Sequence, residues 1–461
     1  MSRLPQDRFP TQIKYLAWNE GCERFSFYGM SSILTIYMVT FLGVREPDAE
    51  ANYHFFVFAV YLTPLVGAWL ADRFFGRYRI ILWLSLGYVF GHAAIALWDS
   101  PAGLVLGLSL IAIGAGGIKP TAAAYVGDQF DSRNQHLLEK VYDLYYWMIN
   151  LGSFAASLLI PELLARYGPW VAFSVPGVLM AVALLVFWRG RRLYVNVPPT
   201  GPNPNGFFRV VRFAVERLGT GRPGEHWLDA ARQRFPAEAV EGAKAVFRIV
   251  GVFAPIAAFW ALFFQYGSSW VLQAERMNRE ILGYTVKASQ MGSLNAIFVL
   301  TTIPIFAGVV YPLLQRRGKK VRALKKMEVG MFVTVFSFVW VMGVQMALDA
   351  GLRPHVAWQV PAYLFLSIGE VLVSVTALEF AYTQAPAAMK SVIMSLWYVT
   401  IAAGSLLTAG VAKLNRFHGV GYFGFFAVLM LLGAFAFAWV ARRYRPTAAV
   451  ATAEPAPEGV P

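Results

Sequence analysis

The sequence predicts an all-α membrane protein with twelve transmembrane helices in two six-helix bundles. Three observations predict this fold class: few charged residues, apolar runs of membrane-spanning length, and basic residues that cluster at the ends of those runs. Only 14% of the 461 residues are charged and 57% are hydrophobic, whereas soluble domains carry about 25% charged residues. A chain so poor in charge requires lipid as the solvent for most of its surface.

Twelve apolar segments approach the roughly 20 residues that cross a bilayer core about 30 Å thick. Turn signals separate many of them, for example Asp99-Ser100-Pro101 and Tyr167-Gly168-Pro169. The predicted spans are 14–43, 52–73, 79–98, 102–125, 141–165, 169–189, 247–275, 284–314, 327–350, 355–384, 388–413 and 418–442.

Basic residues predict the orientation of these spans. With twelve spans, the basic connections after spans two, six and eight and the exit after span twelve all lie on one side, which the positive-inside rule assigns to the cytoplasm. The sequence therefore predicts a multi-pass protein of the plasma membrane, or of the inner membrane of a bacterium, with both termini cytoplasmic. The net charge of +14 does not indicate nucleic acid binding, because the basic residues form no stripe with aromatic partners. The basic sites are Arg73, Arg77, Arg79, Arg189, Arg191, Arg192, Arg316, Arg317, Lys319, Lys320, Arg322, Lys325, Lys326, Arg442, Arg443 and Arg445.

The domain organisation follows from one polar interruption. Residues 190–246 are rich in Pro, Gly, Arg and Glu, so we expect a cytoplasmic linker in which 225–246 could form a surface helix. The linker separates an N-terminal bundle, 1–189, from a C-terminal bundle, 247–445, and an Ala/Pro-rich tail, 446–461, is expected to be disordered. This six-plus-six layout resembles the major facilitator architecture, in which two bundles rock around a central site.

The first span carries three ionisable residues on one helical face. Glu20, Glu23 and Arg24 share a face roughly 100° wide with Phe27 and Ser31. Charges at membrane depth are costly and favour a functional site, and an Arg fork suits a carboxylate ligand. A purely structural ion pair between Glu20 and Arg24 remains the alternative.

Several motifs carry a resemblance to a known family. The stretch from Glu20 is similar to the E-x-x-E-R-F-x-Y-Y signature of the proton-dependent oligopeptide transporter (POT) family, with Phe27 in place of the first Tyr. Further matching stretches follow in order along nearly the whole chain, and together they are highly specific for that family. They are HFFVFAVYLTPLVGAWLADR from His54, GAGGIKP from Gly114, GDQF from Gly127, YWMINLGS from Tyr146, FWALFFQYGSSW from Phe259, GEVLVSVTALEF from Gly369 and QAPAAMKS from Gln384.

The resemblance implies a peptide-binding site. Arg24 and Lys119 would receive the peptide carboxylate. Glu370 would pair with Lys119 in the empty state and meet the peptide amino group when loaded. The other implied binding residues could equally satisfy helix carbonyls or pack in the core. They are Tyr28, Tyr61, Asn150 and Asn295 for the peptide backbone, and Trp260 and Trp397 for side-chain pockets.

The resemblance also implies proton coupling by Glu20, Glu23 and Arg24, with His54 as a further candidate whose ordinary pKa near 6.5 suits a proton switch. Lys119 and Glu370 would take part in gating, and Asp72 and Arg73 would lock the cytoplasmic gate.

The chain departs from the family at three positions, since Ser31, Phe264 and Ala307 replace charged residues. Loss of both partners of a salt bridge at 31 and 264 leaves no unpaired charge. We therefore expect Phe263 and Phe264 to hold the outer gate by apolar packing.

The predicted function is a proton-coupled symporter that imports di- and tripeptides by alternating access. Two alternatives stay open: a transporter of another small solute, such as nitrate or a peptide-like metabolite, and a peptide-binding membrane sensor with weak transport. The sequence shows no nucleophile–base pair, metal cluster or phosphate loop. We therefore expect no enzyme activity, cofactor or metal, and the family implies a working monomer whose partners are the peptide, protons and lipid.

Overall fold

The computed structural model describes residues 8–199, 201, 203–219, 225–318, 322–384, 386 and 389–444. The predicted tail 446–461 lies outside the described residues, as do Lys319, Lys320 and Arg445. The fold is built from long helices, which we number as spans 1 to 12. Their bounds are Ile13–Thr40, Glu46–Phe75, Arg77–Leu97, Pro101–Gly127, Leu138–Arg189 (spans 5 and 6), Ala237–Phe253 with Ile256–Glu275 (span 7), Ala288–Arg316, Ala323–Asp349, Val356–Ala381, Lys390–Leu414 and Gly419–Arg443.

The described helices account for the twelve predicted spans. Nine helical stretches are long and apolar enough to cross a membrane, and the pair bent by 48° between Phe253 and Ile256 makes a tenth. The stretch Leu138–Arg189 is broken at Gly168, whose φ of 78° ends one helix and starts another. Span 1 has 28 residues but carries too much charge to pass as apolar. The predicted all-α fold of two six-helix bundles is therefore confirmed.

Some span boundaries differ from the prediction. Span 2 begins at Glu46, because Pro47 occupies a position in the first turn where it suits a helix start. Residues 284 and 285 do not begin a span: strands β1, Glu280–Ile281, and β2, Tyr284–Thr285, form a short hairpin. The hairpin turns at Gly283, whose φ is +81°. Leu282, with φ of +50°, also leaves the right-handed helical region, so neither neighbouring helix continues through this connection.

The predicted linker contains helical structure. A linker helix, Phe207–Glu216, packs with a 3₁₀ turn, Trp227–Gln233, against the start of span 7 at Ala237. Partial burial opposes ionisation of Asp229, but its hydrogen bonds to Lys244 and Arg232 prevail and lower its pKa. The expected surface helix at 225–246 is thus divided between the 3₁₀ turn and the first turns of span 7. The division of the chain at 189 and 247 stays a prediction.

The spans pack into two groups. Span 1 lies along spans 5 and 6, while spans 2 and 3 pack on span 4; in the second group, span 9 packs on spans 10 and 12, and span 7 packs on span 11. The groups meet where span 2 contacts span 11 and where span 5 contacts span 8. We call the face that carries Ile13 and Arg443 the terminal face, and the face that carries Thr40 and Gly419 the opposite face.

Polar contacts close the opposite face. Each joins a residue of the N-terminal bundle to a residue of the C-terminal bundle, and their positions near the span ends place them at that face. They are Thr35 to the Gly267 carbonyl (2.9 Å), His54 to Ser268 (3.0 Å), Gln290 to the Leu158 carbonyl (2.9 Å), Tyr284 to Glu162 (2.9 Å), Lys413 to Asp48 (2.7 Å), and Arg276 to Glu46. The structure therefore represents a state in which the two bundles are joined at the opposite face.

Close backbone approach fixes spans 2 and 4. A Cβ atom at Gly67 would overlap the Gly116 carbonyl oxygen, and one at Gly116 would meet the Thr63 side chain. Glycine at both positions lets the two helices pack without side chains between them, as is common in membranes. This contact positions the middle of span 4, where Lys119 lies.

We predict that Gly67→Ala destabilises the fold, because the clash is with backbone that has nowhere to move. Overpacking of this kind costs about 1–3 kcal/mol. Gly410→Ala is the matched control, since an added Cβ there meets nothing within 4 Å. Thermal unfolding in detergent should show a lower midpoint for Gly67→Ala only, and equal midpoints would refute the packing argument.

Candidate functional site

Arg24 sits between the two glutamates of span 1. Its Nε lies 3.0 Å from a Glu20 oxygen and 2.5 Å from a Glu23 oxygen. All three residues are buried, with exposed fractions of 8%, 7% and 0% for Arg24, Glu20 and Glu23. The contacts are electrostatic, because neither Glu23 oxygen nor the Arg24 Nε has a hydrogen bond of ordinary geometry. The guanidinium thus keeps donors for another anion.

Span 3 supports this cluster with residues that the sequence analysis did not single out. Tyr88 and His92 are both fully buried, and their rings are 5.4 Å apart. The Tyr88 hydroxyl is near Glu23, yet it and both His92 nitrogens lack hydrogen-bond partners in the described part of the chain. The usable signal was the polar spacing Ser85, Tyr88, His92, which follows one helical face. These groups form a polar backing behind Glu23.

Lys119 of span 4 projects toward aromatic rings. Its Nζ lies 4.1 Å from the centre of the Phe27 ring and 5.0 Å from that of Tyr61. Cation–π contacts of this kind stabilise a cation by about 0.5–2 kcal/mol. Lys119 is also within electrostatic range of Arg24, Glu20 and Glu23. The N-terminal bundle therefore presents two cations beside each other, with the two carboxylates next to Arg24.

Glu370 of span 10 is the acid of the C-terminal bundle at this level. Its oxygen accepts a hydrogen bond of 2.9 Å from Asn295, which also donates to Ser367 at 3.0 Å. Tyr28 lies within electrostatic range of both Glu370 and Arg24. Tyr28 thus marks the space between the acidic and the basic sides of the site.

The ion pair between Lys119 and Glu370 implied by the resemblance is not formed in this structure. Within the described residues, no carboxylate oxygen lies within 4.0 Å of the Lys119 amine. The reason is geometric: Lys119 lies over Phe27 and Tyr61, while Glu370 is held by Asn295 on the other bundle. Each charge remains available to a ligand.

Aromatic rings line the boundary between the bundles. Trp260 and Trp397, each 4% exposed, contact each other at 5.6 Å between centroids. Phe264 stacks on Trp260 at 5.8 Å and reaches Tyr61 of the other bundle at 5.5 Å. Tyr398, which the sequence analysis missed, stacks on Tyr61 at 6.2 Å. In the sequence, the feature that could have indicated Tyr398 was its position next to Trp397.

Asn150 and His54 lie in different surroundings. The Asn150 amide donates to the Tyr146 carbonyl of its own helix at 2.8 Å, so one of its two N–H groups already has a partner. His54 is fully buried at the opposite face, where its Nε2 contacts Ser268 at 3.0 Å and its Nδ1 lacks a partner in the described residues. His54 is therefore part of the closed face and not of the cluster around Arg24.

Near Asp72 and Arg73, whose role in locking the cytoplasmic gate stays a prediction, the ion pairs centre on Arg77. Arg77 pairs with Asp128 at 2.6 Å and reaches Asp72 at 3.7 Å. Arg73 instead lies over the rings of Trp69 and Phe74, at 5.9 and 5.4 Å. These contacts lie within the N-terminal bundle, because all six residues belong to spans 2 to 4 and their connections.

The three departures from the family signature occupy distinct places. Ser31 lines a small cavity with Tyr266 and Gly267 at the boundary of the bundles, and its hydroxyl bonds to the Tyr28 carbonyl. Phe263, 5% exposed, packs against Tyr266 and Trp260. Ala307 lies in a π-helical turn of span 8. The aromatic contact between Phe264 and Tyr61 crosses the boundary, as apolar gating would require.

Comparisons with known proteins agree with this architecture. A family model described as the POT family matches residues 78–420. Solute carrier family 15 member 2 of Homo sapiens is 37% identical over 74% of this chain and 50% of its own length. Peptide transporter family 1 of Drosophila melanogaster is 36% identical over 75% of this chain and 49% of its own length. The chain thus spans about half the length of these curated relatives.

A solved structure matches over its whole length. The POT family transporter PepTSo superposes with a TM-score of 0.89 at 38% identity, covering 95% of this chain and 99% of that one. The fold and the matched residues define a multi-pass membrane protein of a transporter family. The chain belongs to the POT family.

We predict that Arg24→Met destabilises the protein, because it leaves Glu20 and Glu23 buried without their cation. Breaking a buried ion pair in this way costs about 3–5 kcal/mol. The triple variant Glu20→Gln, Glu23→Gln, Arg24→Met removes all three charges and should recover most of the thermal midpoint. Arg45→Met is the control, since the Arg45 side chain is 76% exposed in its pair with Asp48. A triple variant as unstable as Arg24→Met would contradict this account.

Proposed function

We propose that the protein imports di- and tripeptides together with protons by alternating access. One observation carries the proposal: Arg24 and Lys119 stand on one bundle, Glu370 stands on the other, and Lys119 and Glu370 are not paired with each other. A peptide carries a carboxylate at one end and an ammonium group at the other. A site with cations on one side and an acid on the other matches such a ligand.

Recognition would use both ends of the peptide. The free donors of Arg24 suit a carboxylate, with Lys119 adding a second positive charge. The ammonium group would displace Asn295 as the partner of Glu370 and gain a charge-assisted bond. The rings of Trp260, Trp397 and Tyr61 provide apolar walls that accept varied side chains. The name of the fly relative, peptide transporter family 1, supports a peptide as the substrate.

Orientation follows from charge. Arg77, Arg189, Arg191 and Arg443 lie at the terminal face, which the positive-inside rule makes cytoplasmic. The opposite face is then extracellular, and the structure is a state in which the outer face is closed. In the cycle, a peptide enters when the opposite face opens, and the bundles then rock so that it leaves through the terminal face.

Proton coupling would rest on span 1. Glu23 makes no hydrogen bond of ordinary geometry among the described residues, and its nearest cation is Arg24, so its charged form relies mainly on Arg24. Protonation of Glu20 or Glu23 weakens that hold and frees Arg24 for the peptide carboxylate. Charge pairing then passes from protein–protein to protein–ligand contacts, and the ligand shifts the balance between the two states. We propose that His54 acts apart from this exchange, within the outer closure, and that the protein works as a monomer.

We predict that Glu20→Gln and Glu23→Gln uncouple transport from the proton gradient. Each should reduce proton-driven dialanine uptake into liposomes toward the level without a gradient, because the exchangeable carboxylate is gone. Counterflow exchange of dialanine, which needs no gradient, should persist. Glu379→Gln is the control, since that glutamate is exposed in span 10. Full coupling in both variants would remove these glutamates from the mechanism.

We also predict that Glu370→Gln weakens recognition of the peptide amine. Competition assays should show a loss of roughly tenfold or more for dialanine, because a bond to a charged group contributes about 1.5–3 kcal/mol. N-acetyl-dialanine, which lacks the ammonium group, should compete equally with parent and variant. An equal loss for both compounds would assign Glu370 a structural role, and nitrate competing where dialanine does not would favour the small-anion alternative.

A further inference from the structure

A second polar cavity lies at the opposite face, away from Arg24, Lys119 and Glu370. It has a volume of about 190 Å³ and lies between span 2 of the N-terminal bundle and spans 7, 9, 11 and 12 of the C-terminal bundle. Because a water molecule takes about 30 Å³ of liquid, the cavity has room for several waters. Glu50, Arg276 and Tyr422 line it, together with Gln273, Gln345 and His418.

Glu50 is a carboxylate without a cation of its own. It follows Glu46 by one helical turn, and the single arginine lining the cavity, Arg276, already pairs with Glu46. No lysine or arginine nitrogen in the described part of the chain lies within 4.0 Å of Glu50. The negative charge of Glu50 therefore lies near the negative charge of Glu46, and any lysine or arginine that offsets it acts from beyond 4.0 Å.

The groups that face Glu50 from the other bundle are polar but not cationic, apart from Arg276 and the titratable His418. The Glu50 carboxyl approaches the Tyr422 hydroxyl of span 12. Tyr422 is 8% exposed, and its hydroxyl lacks a hydrogen bond of ordinary geometry within the described residues. Gln273 and Gln345 bond to each other at 2.9 Å. The Tyr422 hydroxyl can donate to the Glu50 carboxyl whether that carboxyl is neutral or charged, so this contact accommodates both forms.

Span 2 forms one wall of the cavity through Glu46, Pro47 and Glu50, and the C-terminal bundle forms the rest. Span 2 supplies Glu50 and span 12 supplies Tyr422, so separation of the bundles at the opposite face would open the cavity to bulk water. A carboxylate is well solvated in water but is poorly solvated in a narrow cavity beside another acid. The closed arrangement therefore favours the neutral carboxyl, and the open arrangement favours the charged one.

From this geometry we propose that Glu50 is a second proton-binding residue, and that its protonation from the outer solution favours closure of the opposite face. The proposal rests on the proposed function for its role in a transport cycle. The sign follows from linkage: the closed state binds the extra proton, so lowering the pH stabilises closure and raising the pH promotes opening. Glu50 would thus contribute a pH response distinct from the exchange at Glu20 and Glu23.

The test measures closure directly, without substrate. Spin labels are placed at Tyr167→Cys and Leu282→Cys, which are 63% and 103% exposed on the two bundles, in a Cys22→Ala background. Distance distributions in liposomes are recorded at about pH 5.5 and about pH 8. The parent should gain the short-distance population at low pH, whereas Glu50→Gln should hold that population at both values.

Two variants make the result specific. Glu280→Gln removes an exposed acid from the neighbouring hairpin and should behave as the parent does. His418→Gln tests the other titratable group of the cavity and should keep the parent's response. The proposal is overturned if Glu50→Gln retains the pH response, if the parent has none, or if His418→Gln abolishes it. A Glu50→Gln protein that keeps the parent's short distance at low pH has folded correctly.

Transport separates this proposal from the function itself. If the parent neither takes up nor exchanges dialanine, peptide import fails, while the distance measurement still decides the role of Glu50. If the parent transports dialanine and Glu50→Gln has the parent's external pH dependence of uptake, peptide import stands and the inference falls.

Discussion

Charge that cannot be hydrated within the membrane governs this structure. Lipid offers no hydrogen bonds, so each ionisable group in a span must face the protein interior and find a partner there. Glu20, Glu23 and Arg24 satisfy this requirement within a single helical turn and a half, so span 1 can be charged and buried at once. The position of span 1 between its neighbours follows, because only an interior place shields these groups from lipid.

The partners are incomplete, and that incompleteness gives the site its chemistry. Lys119 rests on aromatic rings, Glu370 is held by an amide, and Glu23 lacks a hydrogen-bond donor in the described residues. A network in which every charge was fully paired would be more stable, but its charges would not readily exchange partners. In the proposed function, each charge exchanges its present neighbour for a proton or for the charged end of a ligand, and such exchanges would couple binding to the movement of the bundles.

The two faces of the protein are held by different means. Ion pairs at the rim, hydrogen bonds to backbone carbonyls and the aromatic contact of Phe264 with Tyr61 join the bundles at the opposite face. Near the terminal face, Arg77 ties span 3 to Asp128 within one bundle, which stiffens that bundle without joining it to the other. Glycine contacts such as Gly67 against Gly116 pack the helices of the N-terminal bundle closely, which favours motion at the boundary between the bundles over motion within that bundle.

The sequence by itself determined the twelve spans, the interior charges and the family, because bilayer thickness sets helix length and a charge in an apolar run is conspicuous. It did not determine that Lys119 lies on Phe27 and Tyr61 instead of on Glu370, or that Arg77 rather than Arg73 meets Asp128. It also did not single out four residues that the structure brings near the candidate site or the second cavity: Tyr88, His92, Tyr398 and Glu50. Helical periodicity gives the face on which a residue lies but not the helix it meets. Those contacts join residues far apart in the chain and depend on which arrangement of the two bundles is adopted, so only the tertiary structure could decide them.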